Sequence, residues 1–153
     1  AHARALINAG AGDVAERFLR KSISRHWDGE LVRLYGHAQS QRIEEQLRRA
    51  EQWGASHKDD PDLLMTLARL YLEHNDRDKA RDHLLEAVRL GGSREGYLEL
   101  GLLLESMGES DKALQCYRRG LQSLKAQEPK QIVSGSSTSS VELVPVLESR
   151  EPR

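Results

Sequence analysis

One cysteine, one phenylalanine, two tryptophans and four prolines are spread over 153 residues, and aromatic residues make up only 5% of the chain. A single thiol, Cys116, excludes an internal disulfide and any zinc site built on a cysteine pair. Set between Gln115 and Tyr117 in a helical pattern, it reads as a buried structural thiol rather than a nucleophile. So few aromatics argue against a β-sandwich, while 31% charged residues fit a well-solvated helical protein. Charge of one sign is lacking too: 23 Lys and Arg face 24 Asp and Glu, so no overall field draws the chain onto nucleic acid or an anionic bilayer. No apolar run reaches the length of a membrane span, and the opening AHARALINAG has no signal-peptide apolar core. The chain as given is expected to be soluble. It lacks an initiating Met and opens inside a helical pattern, which reads as a piece of something longer.

Catalytic and metal-binding patterns are missing as well. The six histidines, His2, His26, His37, His57, His74 and His83, form no i, i+4 pair and no H-E-x-x-H site. Carboxylates are intermixed with Lys and Arg, as in DRDKARD (76 to 82), the pattern of surface pairing along a helix. There is no phosphate-binding glycine loop and no nucleophile elbow. The arginines of RIEEQLRRAEQW (42 to 53) are answered by three glutamates on the same helix, so a solvated face is expected there rather than a nucleic-acid site. The expectation is a non-enzyme with no cofactor.

What the chain does have is internal repetition. Setting DPDLLMTLARLYLEHNDRDKARDHLLEAVRL (60 to 90) over REGYLELGLLLESMGESDKALQCYRRGL (94 to 121) aligns Leu64 with Tyr97, Leu67 with Leu100 and Ala68 with Gly101. It also aligns Tyr71 with Leu104, Ala80 with Ala113, Leu84 with Tyr117 and Ala87 with Gly120, always 33 residues apart. Apolar residues recur at three and four, and the breaks EHNDRD (73 to 78) and SMGESD (106 to 111) are equivalent. Each unit therefore reads as two antiparallel helices, with Asn75 or Asp76 and Ser110 as caps and Gly108 as a left-handed terminator. Ala68 and Gly101 are expected to face Ala80 and Ala113 where the helices cross.

This pattern resembles the tetratricopeptide repeat, with small residues at the crossing and bulky ones around it. No Trp opens either complete unit, and Gly92 stands where one would expect the closing proline. The fold expected is all-α, a TPR-like right-handed superhelix of antiparallel helix pairs. Its units are a partial repeat over 1–24, a diverged repeat over 26–54, repeats over 60–92 and 93–125, and a flexible Ser- and Pro-containing tail over 126–153. In the diverged unit Leu31 and Tyr35 precede Leu67 and Tyr71 by 36 residues, while Ile43, Leu47 and Ala50 precede Ala80, Leu84 and Ala87 by 37, so its inner turn is expected to be one residue shorter. The N-terminal edge, Ala3 to Leu19, should be a sticky surface through which the isolated chain dimerises. Within the tail, VELVPVL (141 to 147) is apolar enough to dock on something.

In such arrays the first helix of each pair lines the concave side, where a peptide or protein partner is held. The residues expected there are Arg33 and His37, then Met65, Arg69, Leu72 and Glu73, then Leu98, Leu102 and Glu105. An apolar strip with Arg69 at its centre suits an amphipathic partner carrying an acidic group, and not nucleic acid. The other reading is that Leu98 and Leu102 pack against a further segment of the parent protein.

A narrower resemblance runs through HWDGELVRLYG (26 to 36), RRAEQW (48 to 53), DPDLLMTLARL (60 to 70), DKARDHLLEAV (78 to 88) and YLELGLLLESMGESDKALQCYRRGL (97 to 121). In this order they are similar to the C-terminal region of the bacterial HemY family. The resemblance implies a parent protein held in the inner membrane by two helices outside this chain, with the repeats facing the cytoplasm. It further implies an association with haem and porphyrin biosynthesis, a haem-biosynthesis enzyme as partner, and no catalytic residue. Two alternatives stand beside it: direct haem or porphyrin binding with His37 or His74 as axial ligand, and a generic envelope-assembly adaptor.

Overall fold

The computed structural model describes residues 1–91 and 93–125. The tail from 126 on, with its apolar stretch 141–147, lies outside the described residues. The described chain forms eight α-helices and no strand: α1 (His2–Asn8), α2 (Gly12–Arg25), α3 (Gly29–Tyr35), α4 (Ile43–Trp53), α5 (Pro61–Glu73), α6 (Arg77–Gly91), α7 (Arg94–Ser106) and α8 (Ser110–Lys125). One apolar core runs through them from Ala3 to Cys116. The architecture is the expected all-α array.

The two copies of the 33-residue unit start and stop by the same chemistry. Asp60 caps α5, accepting from the backbone N–H groups of Asp62 and Leu63 at 2.9 and 3.2 Å. Its equivalent Ser93 caps α7, accepting from Gly96 N at 3.1 Å. Between the helices of each pair one residue turns left-handed, Asn75 at φ 62° and Gly108 at φ 80°. Asp76 then caps α6 through Lys79 N at 3.1 Å. Ser110 is already the first residue of α8, not its cap.

Ala68, Ala80 and Ala113 are buried, as a close crossing requires. Gly101 has a more specific reason. A Cβ there would fall 2.4 Å from Cε1 of Tyr117, so the tyrosine ring occupies the space the side chain would need. The ring crosses over Gly101 to donate from Oη to Glu105 Oε2 at 2.7 Å. In the preceding unit the same two places hold Ala68 and Leu84. The larger side chain on the second helix is thus matched by the smaller on the first.

The diverged unit departs from expectation. The stretch linking α3 to α4 is seven residues, 36 to 42, against three, 74 to 76, between α5 and α6. The spacing of apolar positions shortens by one, yet α3 ends early at Tyr35 and the link grows. Nor do α3 and α4 cross closely: α3 packs on α2 and α5, and α4 packs on α5. The positions equivalent to Ala68 and Ala80 hold Val32 and Ile43, too bulky for close approach. Side chains bridge the gap instead. Gln46 donates from Nε2 to the carbonyls of Tyr35 and Ala38 at 2.8 and 2.7 Å. The Tyr35 ring packs edge-on to Trp53 at 4.7 Å, and its Oη donates to the buried Glu16 at 2.9 Å. Asp13 of α2 secures the link by accepting from Ser40 Oγ at 2.7 Å and Gln41 N at 3.0 Å.

Candidate functional site

The first helices of the successive units, α1, α3, α5 and α7, lie along one side and enclose two open cavities that share His37 and Gln39. One, of about 690 Å³, is lined by Arg4 and Asn8 of α1, Arg33 of α3, the link at His37, and Glu95 of α7. The other, of about 500 Å³, is lined by the link at Gly36 and His37, by Arg69, Leu72 and Glu73 of α5, and by Glu99 and Leu102 of α7. Helix α3 reaches this place because Gly36 lets the chain pass α5 closely. A Cβ on Gly36 would meet Thr66 Cα at 3.2 Å, and Thr66 donates from Oγ1 to Val32 O at 2.7 Å.

Between the cavities lies a charge network that joins three first helices. Arg69 donates from Nη2 to Glu95 Oε1 at 2.7 Å and from Nε to Glu99 Oε1 at 2.9 Å. Its Nη1 reaches the carbonyl of Arg33 at 3.4 Å. Glu95 continues to Arg33 Nη1 at 3.4 Å, and Arg33 Nε pairs with Asp62 at 3.1 Å. Burial pushes the carboxyls of Glu99 and Asp62 above the ordinary range, against the lowering pull of Arg69 and Arg33 respectively. Burial, helped by Arg69, lowers the imidazole pKa of His37, so this ring favours its neutral form.

Of the residues expected on the partner-binding side, Arg33, His37, Arg69, Leu72, Glu73 and Leu102 line these cavities. Two of the assignments need correction. Met65 is only 3% exposed, because α7 lies over it with Ser93 Oγ 3.8 Å from its sulfur. Arg69 is 8% exposed and its charge is committed to Glu95 and Glu99, so it braces α5 against α7 instead of waiting for an acidic partner. Leu98 is exposed but outside both cavities, and Glu105 is exposed and holds the hydroxyl of Tyr117. His74 lines neither cavity and sits 3.8 Å from Glu44 of α4. The expected apolar edge Ala3 to Leu19 is also redistributed: Ala3 and Leu19 are core, while Val14 and Phe18 are exposed.

Sequence reading missed Glu95, Glu99 and Asp62. Their signal was available in the i, i+4 pair Glu95 and Glu99 on a helix whose equivalent residues, Asp62 and Thr66, face the previous unit. Cys116 is fully buried, with its thiol pKa pushed up by burial, as suits a structural thiol. Among the described residues no cluster of His, Cys, Asp or Glu is placed to hold a metal ion, and no helix is long and apolar enough to cross a membrane.

The raised pKa of Glu99 has a measurable sign. The folded protein holds this proton more tightly than the unfolded chain, whose value is near 4.5, so Glu99 contributes stability that is lost as pH rises from there through its folded value. Glu99→Gln is expected to flatten that part of the stability–pH curve and to be tolerated at neutral pH. Denaturant titrations at several pH values check it; an unchanged slope would contradict the assignment.

The sequence matches the family described as tetratricopeptide repeat over residues 40–124, from the link before α4 to the end of α8. No curated protein matches it. Among solved structures, one described as "Crystal structure of MamA" is 18% identical and superimposes with a TM-score of 0.60, covering 81% of this chain and 75% of that one. A second, "Crystal structure of MamA protein", is 19% identical with a TM-score of 0.59, covering 86% of this chain and 75% of that one. At such identity the likeness shows the fold alone. These matches carry the repeat, and none supports the resemblance to HemY.

Proposed function

This chain belongs to the tetratricopeptide repeat family, and from that premise we propose that it is a non-catalytic scaffold binding a protein or peptide partner along its first helices. The observation that carries the reading is the pair of cavities meeting at His37, an open groove walled by side chains of successive units. Its first part presents the polar ion pairs Arg4–Glu30 and Arg33–Glu95, and its second offers Leu72 and Leu102 to an apolar group. An amphipathic, extended segment fits that sequence of chemistries. Arg69 contributes by holding the floor rigid, which lowers the cost of ordering on binding.

The partner assigned is an enzyme of haem or porphyrin biosynthesis, with the parent protein anchored in a bacterial inner membrane and this domain on the cytoplasmic side. Support for that finer statement comes from the order of the HemY-like segments alone. Affinity capture from detergent-solubilised membranes tests it, comparing the wild type with a His37→Glu, Leu102→Glu variant. Recovery of a porphyrin enzyme with the wild type and not the variant is expected. Equal recovery with both would remove the groove from the reading, and no such enzyme with either would remove the haem connection. A second reading, direct haem binding, keeps His37 as its candidate ligand because its ring favours the neutral form and lines both cavities. It requires a sharp Soret shift on hemin titration that His37→Ala abolishes.

A further inference from the structure

The pair α7 and α8 leaves open a surface that the preceding pair has covered. Met65 of α5 and Val88 of α6 form a notch that receives α7 at Gly96; a Cβ there would lie 3.2 Å from Val88 Cγ1 and 3.8 Å from Met65 Sδ. Thus covered, Met65 and Val88 are 3% and 7% exposed. One 33-residue period later the same positions hold Leu98 and Leu121, which are 46% and 63% exposed. A pair whose outer face is adapted to water carries polar residues there. Here both positions stay apolar although they are exposed, so the face is built to be covered.

We propose that residues 141–147, VELVPVL, of the same chain dock on this face. The segment is tethered to it: 15 residues, 126 to 140, separate it from the end of α8. A coil of 15 residues would span about 20 Å root-mean-square. Leu121 lies one helical turn, about 6 Å, from the end of α8. Such a tether holds the segment at a local concentration on the millimolar scale, so modest apolar burial suffices. In an extended chain Val141, Leu143, Pro145 and Leu147 fall on one side, and Pro145 disfavours a helix through the segment. Charges match at the rim. Arg94 precedes Leu98 by one turn and Arg118 precedes Leu121 by one turn, both exposed and without a carboxylate partner among the described residues. Glu142 and Glu148 within and beside the segment supply the opposite sign.

The test uses the full chain with Leu143→Asp and Leu147→Asp, compared with the wild type by leucine-methyl NMR and amide hydrogen exchange. The methyl resonances of Leu98 and Leu121 are expected to shift, and exchange in α7 and α8 to accelerate roughly tenfold. Leu121→Asp, a change at an exposed position, should release the resonances of residues 141–147 in the same way. Identical spectra for wild type and tail variant would overturn the proposal. Wild-type resonances of the face that change on dilution would overturn it too, by identifying a second copy as the occupant.

Discussion

Arg69→Leu is expected to lower folding stability by about 3–5 kcal/mol, the usual cost of removing one partner from a buried ion pair. The guanidinium is surrounded by Glu95, Glu99 and the carbonyl of Arg33; its loss leaves Glu99 without a cation, while Glu95 keeps Arg33 at 3.4 Å. Glu99 suffers most, since burial already pushes its carboxyl pKa up while Arg69 is present. The origin of the effect is separable by a second change. Arg69→Leu combined with Glu99→Leu should recover a large part of the loss, because an apolar contact of similar volume replaces the pair. Denaturant midpoints of the single and double variants measure this. A double variant no more stable than the single would mean that Arg69 acts by packing of its aliphatic stem and not by charge.

The second large effect is expected at Gln46. Gln46→Leu preserves volume but withdraws the Nε2 donor from the carbonyls of Tyr35 and Ala38, which keep only the backbone N–H groups of Ala38 at 3.2 Å and Ser40 at 2.9 Å, at a combined cost of about 1–3 kcal/mol for two lost hydrogen bonds. Those carbonyls begin the 36–42 link, which places His37 between the two cavities. The loss should therefore be uneven. Hydrogen exchange in residues 36 to 42 is expected to approach that of an unprotected chain, while α5 to α8 keep most of their protection. A uniform loss of protection would show that the link has no local stability of its own.

The units α5/α6 and α7/α8 were legible in the sequence because their boundaries are written twice. Asp60 and Ser93, Asn75 and Gly108, and Ala80 and Ala113 recur at one offset, and each pair performs one physical task. The diverged unit was legible only in outline. Ile43 stands where Ala80 would be, and a pattern of apolar spacings cannot show that a bulkier residue holds two helices apart. The groove was half legible: helical geometry puts Arg69 and Met65 on the same face as Leu72, but which part of that face the next helix covers depends on stacking, a long-range contact. Hence Met65 and Arg69 were expected in the open and are found beneath α7.

The central claim is that a partner lies along the first helices, across His37. The most direct measurement is site-specific photo-crosslinking in the parent cell, with the photoreactive residue placed at 73 or 102 in the groove and at 48 or 114 on exposed positions of the second helices. The account predicts one shared protein adduct from 73 and 102 that is missing from 48 and 114. Adducts of equal yield from 48 and 114, with none from the groove positions, would contradict it.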